Sequence, residues 1–80
     1  MDDQSYLVKR RMEIGRNIRQ VRKQVGLTQE QAAELLGCSR ARVNRVEQGY
    51  TEFGIAELEL LADRMQIPFR HLVTAVPQIA

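Results

Sequence analysis

The side chains best suited to recognition chemistry lie within one segment of ten residues, Ser39 to Gln48. Residues 40 to 45 carry three arginines and an asparagine but no acid. An arginine guanidinium can donate two hydrogen bonds to O6 and N7 of guanine, and an asparagine amide can reach adenine. The segment could therefore bind a nucleic-acid duplex, although each arginine could also be an ordinary solvated cation.

A short helix would sort the side chains of this segment onto two faces. Ser39 is a typical N-cap, and Gly49 is expected to end the helix. At 3.6 residues per turn the buried face holds Val43, Val46 and Glu47. The opposite face holds Ala41, Asn44, Arg45 and Gln48, with Arg40 and Arg42 on its shoulders. The arginine-bearing face is therefore predicted to point into solvent.

Helical spacing of apolar residues recurs along the chain, and no strand-like alternation is found. The first helix carries a stripe of Ile14, Ile18, Val21 and Val25 and ends at Gly26. A capping box of Thr28 and Gln31 opens the second helix, and Gly37 closes it. The fourth helix presents Ile55, Leu58, Leu61, Ala62 and Met65, and a short fifth begins near Pro68. The sequence thus predicts an all-α domain of five helices.

Composition narrows the function classes. A chain of 80 residues with one cysteine forms one domain without an internal disulfide, and it lacks a set of metal ligands. No segment has the roughly 18 apolar residues of a membrane helix, the acidic start is unlike a signal peptide, and no catalytic set is visible. We expect a cytoplasmic, nucleoid-associated protein that needs no cofactor.

The second and third helices form a recognisable motif. They are joined by three residues that begin with glycine, Gly37-Cys38-Ser39, as in a helix-turn-helix. The segment TQEQAAELLGCSRARVNRVEQG resembles the lambda-repressor-like, or XRE, family of transcriptional regulators, and the likeness covers residues 14–74. The resemblance implies a compact five-helix domain that usually binds operator DNA as a homodimer. Residues 1–13 form an N-terminal extension, predicted to be helical, and residues 75–80 a tail.

The resemblance and the helical wheel together give the motif residues their expected roles. Base contacts are expected from Arg40, Ala41, Asn44 and Arg45, and phosphate contacts from Thr28, Gln29, Arg42 and Gln48. Gln29 stands at a helix N-terminus, where free N–H groups favour an anion. Glu47 opposes the dipole at its helix end, so it needs a cation. Arg22 matches the family position that often pairs with this glutamate.

The apolar residues near the C-terminus have two interpretations. The apolar residues after the fourth helix, namely Phe69, Leu72, Val73, Val76 and Ile79, are the expected homodimer surface. The alternative is that Phe69 and Leu72 complete the core of one monomer. The expected partner is a pseudo-palindromic DNA operator, bound by a repressor without a visible small-molecule effector. A protein-interaction module or an antitoxin that retained the fold is the rival function.

Overall fold

The fold is all-helical, as the sequence predicts. The computed structural model describes residues 2–75, and over that range five helices and no strand are present. They are α1 (Asp3–Gln24), α2 (Gln29–Leu36), α3 (Arg40–Glu47), α4 (Ile55–Met65) and α5 (Arg70–Val73). Within these described residues, none of the helices has both the length and the apolar character of a membrane span.

Local capping interactions set the helix boundaries. The Thr28 hydroxyl accepts a hydrogen bond from Gln31 N at 3.1 Å, and the Gln31 side chain accepts one from Thr28 N at 2.8 Å. This reciprocal pair confirms the predicted capping box. Gly37 ends α2 with a φ of 68°, a left-handed conformation that glycine adopts without steric cost. The turn into α3 is therefore encoded locally.

All five helices contribute buried side chains to the core. Its fully buried large side chains are Ile18, Val43, Val46, Leu61 and Leu72. Two residues of the predicted apolar stripes lie outside this core, since Val25 is 40% exposed and Ile55 is 67% exposed. Val25 is the C-cap of α1 and Ile55 is the first residue of α4, so both lie at helix ends.

Leu72 belongs to the monomer core, so its predicted place in a homodimer surface is wrong. Its side chain is 0% exposed, and its carbonyl accepts a hydrogen bond from Asn17 Nδ2 at 3.1 Å. Asn17 also donates to the Thr74 carbonyl at 2.8 Å, which ties the end of α5 to α1. Phe69 and Val73 are partly buried against the same core. Val76 and Ile79 lie outside the described residues.

Helices α1 and α3 approach each other closely at Gly15. A Cβ atom placed on Gly15 would collide with the Val46 carbonyl oxygen and lie 2.9 Å from that of Glu47. These obstacles are backbone atoms, so side-chain rotation cannot relieve the collision. The absence of a side chain at Gly15 therefore sets the distance between the long helix and α3.

We predict that Gly15→Ala lowers the melting temperature. Helix propensity alone would favour alanine by about 1 kcal/mol, but overpacking a tight contact typically costs about 1–3 kcal/mol. Gln20→Ala, at an exposed position of the same helix, is the matched control and should leave the melting temperature nearly unchanged. A Gly15→Ala protein that melts at a higher temperature would show that the two helices do not depend on this approach.

Candidate nucleic-acid interface

The sequence-predicted recognition residues form one surface on α2 and α3. Val43, Val46 and Glu47 are buried, with 1%, 1% and 6% of their surface exposed, so this side of α3 faces the core. On the other side, the exposed residues are Arg40, Ala41, Arg45 and Gln48, and Asn44 is half-buried. Thr28 and Gln29 lie beside them at the start of α2. We call this set the reading surface.

A buried ion pair connects α3 to α1. Arg22 Nε donates to Glu47 Oε2 at 2.6 Å, and Arg22 Nη2 donates to Glu47 Oε1 at 3.0 Å. Arg22 Nη1 donates to the Leu27 carbonyl at 2.8 Å, so the guanidinium also fixes the turn before α2. The hydrogen bonds from Arg22 to Glu47 raise the pKa of Arg22 above its ordinary value. The two side chains expected to pair are thus in bidentate contact.

Three amide side chains of the reading surface are hydrogen-bonded to one another and to this ion pair. Gln29 Nε2 donates to Glu47 Oε1 and to Asn44 Oδ1, both at 3.1 Å. Gln48 Nε2 donates to the same Asn44 oxygen, also at 3.1 Å. The residues expected to contact phosphate and bases are therefore held in place before any ligand binds.

Two shallow clefts on the reading surface give a ligand access. One, of about 300 Å³, is lined by Gln29, Arg40, Ala41 and Asn44. The other, of about 420 Å³, is lined by Arg22, Thr28, Gln29, Glu30 and Arg40 at the N-terminus of α2. The positive end of a helix dipole and a nearby cation favour an anion there, whereas the carboxylate of Glu30 opposes one.

Arg42, which is expected to contact phosphate, also makes contacts within the protein. Its guanidinium forms two hydrogen bonds with the Glu57 carboxylate of α4, one of them 2.8 Å long from Nη2 to Oε1. It also lies 5.0 Å from the centre of the Phe53 ring, within cation–π distance. Phe53 is buried, so Arg42 connects α3 to the loop and helix that follow it. These contacts hold Arg42 against α4 and the loop before it, and its expected contact with phosphate stays a prediction.

Sequence reasoning missed both Glu57 and the shared oxygen of Asn44. Glu57 lies fifteen positions after Arg42, and at that separation only tertiary packing decides which acid meets which arginine. Residues 46 to 63 contain acids and no cation, so any ion pair of these acids must involve an arginine or lysine from another segment. The sequence does not show which one. Among the described residues, neither Arg40 nor Arg45 has a carboxylate within 4.0 Å, so both keep free guanidinium groups.

The helix-turn-helix family model HTH_3 matches residues 18–72, which is more than half of the chain. A search of curated protein sequences finds no significant match.

Solved structures of similar fold include several regulators. The restriction-modification controller protein C.AhdI from Aeromonas hydrophila is 33% identical, with a TM-score of 0.70, over 76% of this chain and 92% of that one. An HTH_3 family transcriptional regulator from Vibrio cholerae is 27% identical, with a TM-score of 0.74, over 82% of this chain and 37% of that one. PlcR from Bacillus thuringiensis, solved with the peptide PapR7 and DNA, is 30% identical, with a TM-score of 0.70, over 84% of this chain and 24% of that one.

We predict that Glu47→Ala destabilises the protein by about 3–5 kcal/mol, because it leaves the buried Arg22 without its partner. The free energy of unfolding in urea measures this loss. The double variant Arg22→Met/Glu47→Leu is the control, since apolar replacement of both partners removes the uncompensated charge. It should lose less stability than Glu47→Ala, and an equal or larger loss would argue against the buried-charge explanation.

A second prediction concerns the dependence of stability on pH. Hydrogen bonds from Arg42 and from the Gly54 amide lower the pKa of Glu57 from 4.5 to about 2. The pair therefore stabilises the fold fully above pH 4.5, and this contribution disappears as the pH falls toward 2. Because a third of each side chain is exposed, the effect is modest.

The test compares melting temperatures of the wild type and Glu57→Gln from neutral pH to pH 2. Their difference should stay constant above about pH 5 and shrink toward pH 2, since only the ionised carboxylate forms the pair. A difference that persists unchanged to pH 2 would contradict the lowered pKa of Glu57.

Proposed function

Because the chain belongs to the helix-turn-helix family of DNA-binding transcriptional regulators, we propose that it is a repressor that binds a specific duplex operator through α3. The observation that carries this proposal is the reading surface, on which Arg40 and Arg45 stand free of carboxylates while the apolar side of α3 is buried. Such a role would place the protein in the cytoplasm with the nucleoid.

The docking follows from the size of the major groove, which admits one helix. Arg45 and Arg40 contact base edges, Ala41 offers an apolar contact such as a thymine methyl group, and Asn44 reaches a base between them. Thr28 and Gln29 at the start of α2, with Gln48 at the end of α3, contact phosphates on the flanking backbone. Phosphate contacts set the register of the protein on the duplex, whereas the base contacts carry sequence information.

Specificity for a genomic site requires more than the few base pairs that one α3 covers. We therefore propose a homodimer on a pseudo-palindromic operator, with the two reading helices about 34 Å apart, one turn of DNA. Phe69 and Val73 are partly buried on the monomer and remain candidates for part of the dimer surface. The dimer would act by occupying DNA, and catalysis forms no part of this role.

Similarity to C.AhdI favours one biological setting for the repressor. That protein is a restriction-modification controller, and the match covers 92% of its chain. Control of a restriction-modification operon is therefore the setting that we put first, ahead of a phage repressor or an antitoxin.

The proposal is tested by the dependence of binding on salt. DNA affinity should fall with a log–log slope of roughly −0.9 for each phosphate neutralised. A response that is flat across the titration would favour the rival function, a protein-interaction module that retained the fold.

Arg45→Ala provides the test of base recognition. We expect it to lose about 1–3 kcal/mol of discrimination at one base position, measured on oligonucleotides selected from a random pool. Arg70→Ala, which removes an exposed arginine outside the reading surface, is the matched control and should retain wild-type specificity. Equal losses by Arg45→Ala on selected and random DNA would assign Arg45 to phosphate instead.

A further inference from the structure

The buried ion pair determines which atoms donate and which accept in the hydrogen-bond network of the reading surface. A guanidinium only donates, so both Glu47 oxygens that face Arg22 accept. Glu47 Oε1 also contacts the side chain of Gln29, and that contact must come from the Gln29 amide nitrogen. The ion pair therefore fixes which end of the Gln29 amide points toward α3.

The same reasoning fixes the orientation of Asn44. Gln29 Nε2 has two hydrogens, of which one goes to Glu47 and the other to Asn44, so the Asn44 atom that it meets must be the oxygen. Gln48 Nε2 then donates a hydrogen bond to the second lone pair of that oxygen. A rotated Asn44 amide would set its nitrogen against the Gln29 nitrogen, donor against donor. Asn44 Oδ1 is thus fully used within the protein.

The Asn44 nitrogen is left for the ligand. Among residues 2–75, Asn44 Nδ2 forms no hydrogen bond, and Asn44 lines the 300 Å³ cleft together with Arg40. Arg40 and Arg45 also offer donors alone. The reading surface therefore presents donors to the groove and no side-chain acceptor from these three residues.

We infer that Asn44 is a specificity-determining residue that reads acceptor edges, guanine above all, and discriminates against adenine and cytosine; this inference rests on the proposed function. Adenine recognition by an asparagine amide uses its oxygen to accept from N6 and its nitrogen to donate to N7, and that oxygen is occupied here. Guanine offers two adjacent acceptors, O6 and N7, and thymine offers O4. Cytosine presents a donor, and adenine presents a donor at N6 beside its single acceptor N7. The guanidinium of Arg22 thus determines, through Glu47 and Gln29, which atom of the Asn44 amide is available to the DNA.

The experiment compares oligonucleotides selected from a random duplex pool by the wild type and by Asn44→Ala. Asn44→Ala should relax the preference at one base position by about fivefold or more, and the base preferred there by the wild type should be guanine or thymine. Adenine or cytosine at that position would overturn the inference. An unchanged base preference would also overturn it, while leaving the salt-dependent DNA binding of the proposed function intact.

A double variant tests the network itself. In Gln29→Ala/Gln48→Ala both donors to Asn44 Oδ1 are gone, so the Asn44 amide can rotate. The variant should then also bind sites that carry adenine at the same position. Loss of the two glutamines weakens binding to every sequence. The ratio of the affinities for the guanine and adenine sites therefore isolates the effect on Asn44. A ratio of guanine to adenine that stays at the wild-type value would overturn the inference.

A measurement on the free wild-type protein separates this inference from DNA binding. By NMR, the side-chain amide protons of Gln29, both hydrogen-bonded, should exchange with solvent more slowly than those of Asn44. Slower exchange at Asn44 would overturn the inference whether or not DNA binds. A wild type with a flat salt response and no selected sequence would instead remove the proposed function, and the inference would fall with it.

Discussion

The buried contact between Arg22 and Glu47 is the constraint on which the reading surface depends. Helix α3 has eight residues, and a helix this short is not stable by itself in water. Its two valines hold one side to the core, but Glu47 in its C-terminal turn opposes the helix dipole and needs the support of a cation. The guanidinium of α1 supplies that support, and Gly15 allows the backbones to approach closely enough for the bidentate geometry.

The acids near α3 determine which arginines remain available to a ligand. Glu47 pairs with Arg22 and Glu57 pairs with Arg42, so two cations near α3 are used to position it. Arg40 and Arg45 have no carboxylate partner among the described residues. The acidic stretch from residue 46 to residue 63 therefore does not neutralise the reading surface. Of the three arginines of α3, Arg42 is paired with an acid, whereas Arg40 and Arg45 are not.

Side chains that are ordered before binding lower the entropic cost of binding a ligand. A flexible side chain that becomes fixed on binding costs about 0.5–1.5 kcal/mol. Gln29, Asn44 and Gln48 are already joined through one oxygen, so part of that ordering occurs during folding. The network also connects the reading surface to the core, because Gln29 contacts both Asn44 and the buried Glu47. Orientation of the amides is thus a property of the folded protein before DNA is present.

The sequence by itself determined the helices, the turn between α2 and α3 and the exposed side of α3, because capping residues, glycines and apolar spacing act over a few neighbouring positions. It also pointed to Arg22 and Glu47, through an unfavourable charge at a helix end and a family resemblance. Only the tertiary structure decided that Arg42 pairs with Glu57, that Leu72 is buried within the monomer and that Val25 and Ile55 are exposed. These outcomes depend on which distant elements meet, and local spacing carries no information about that.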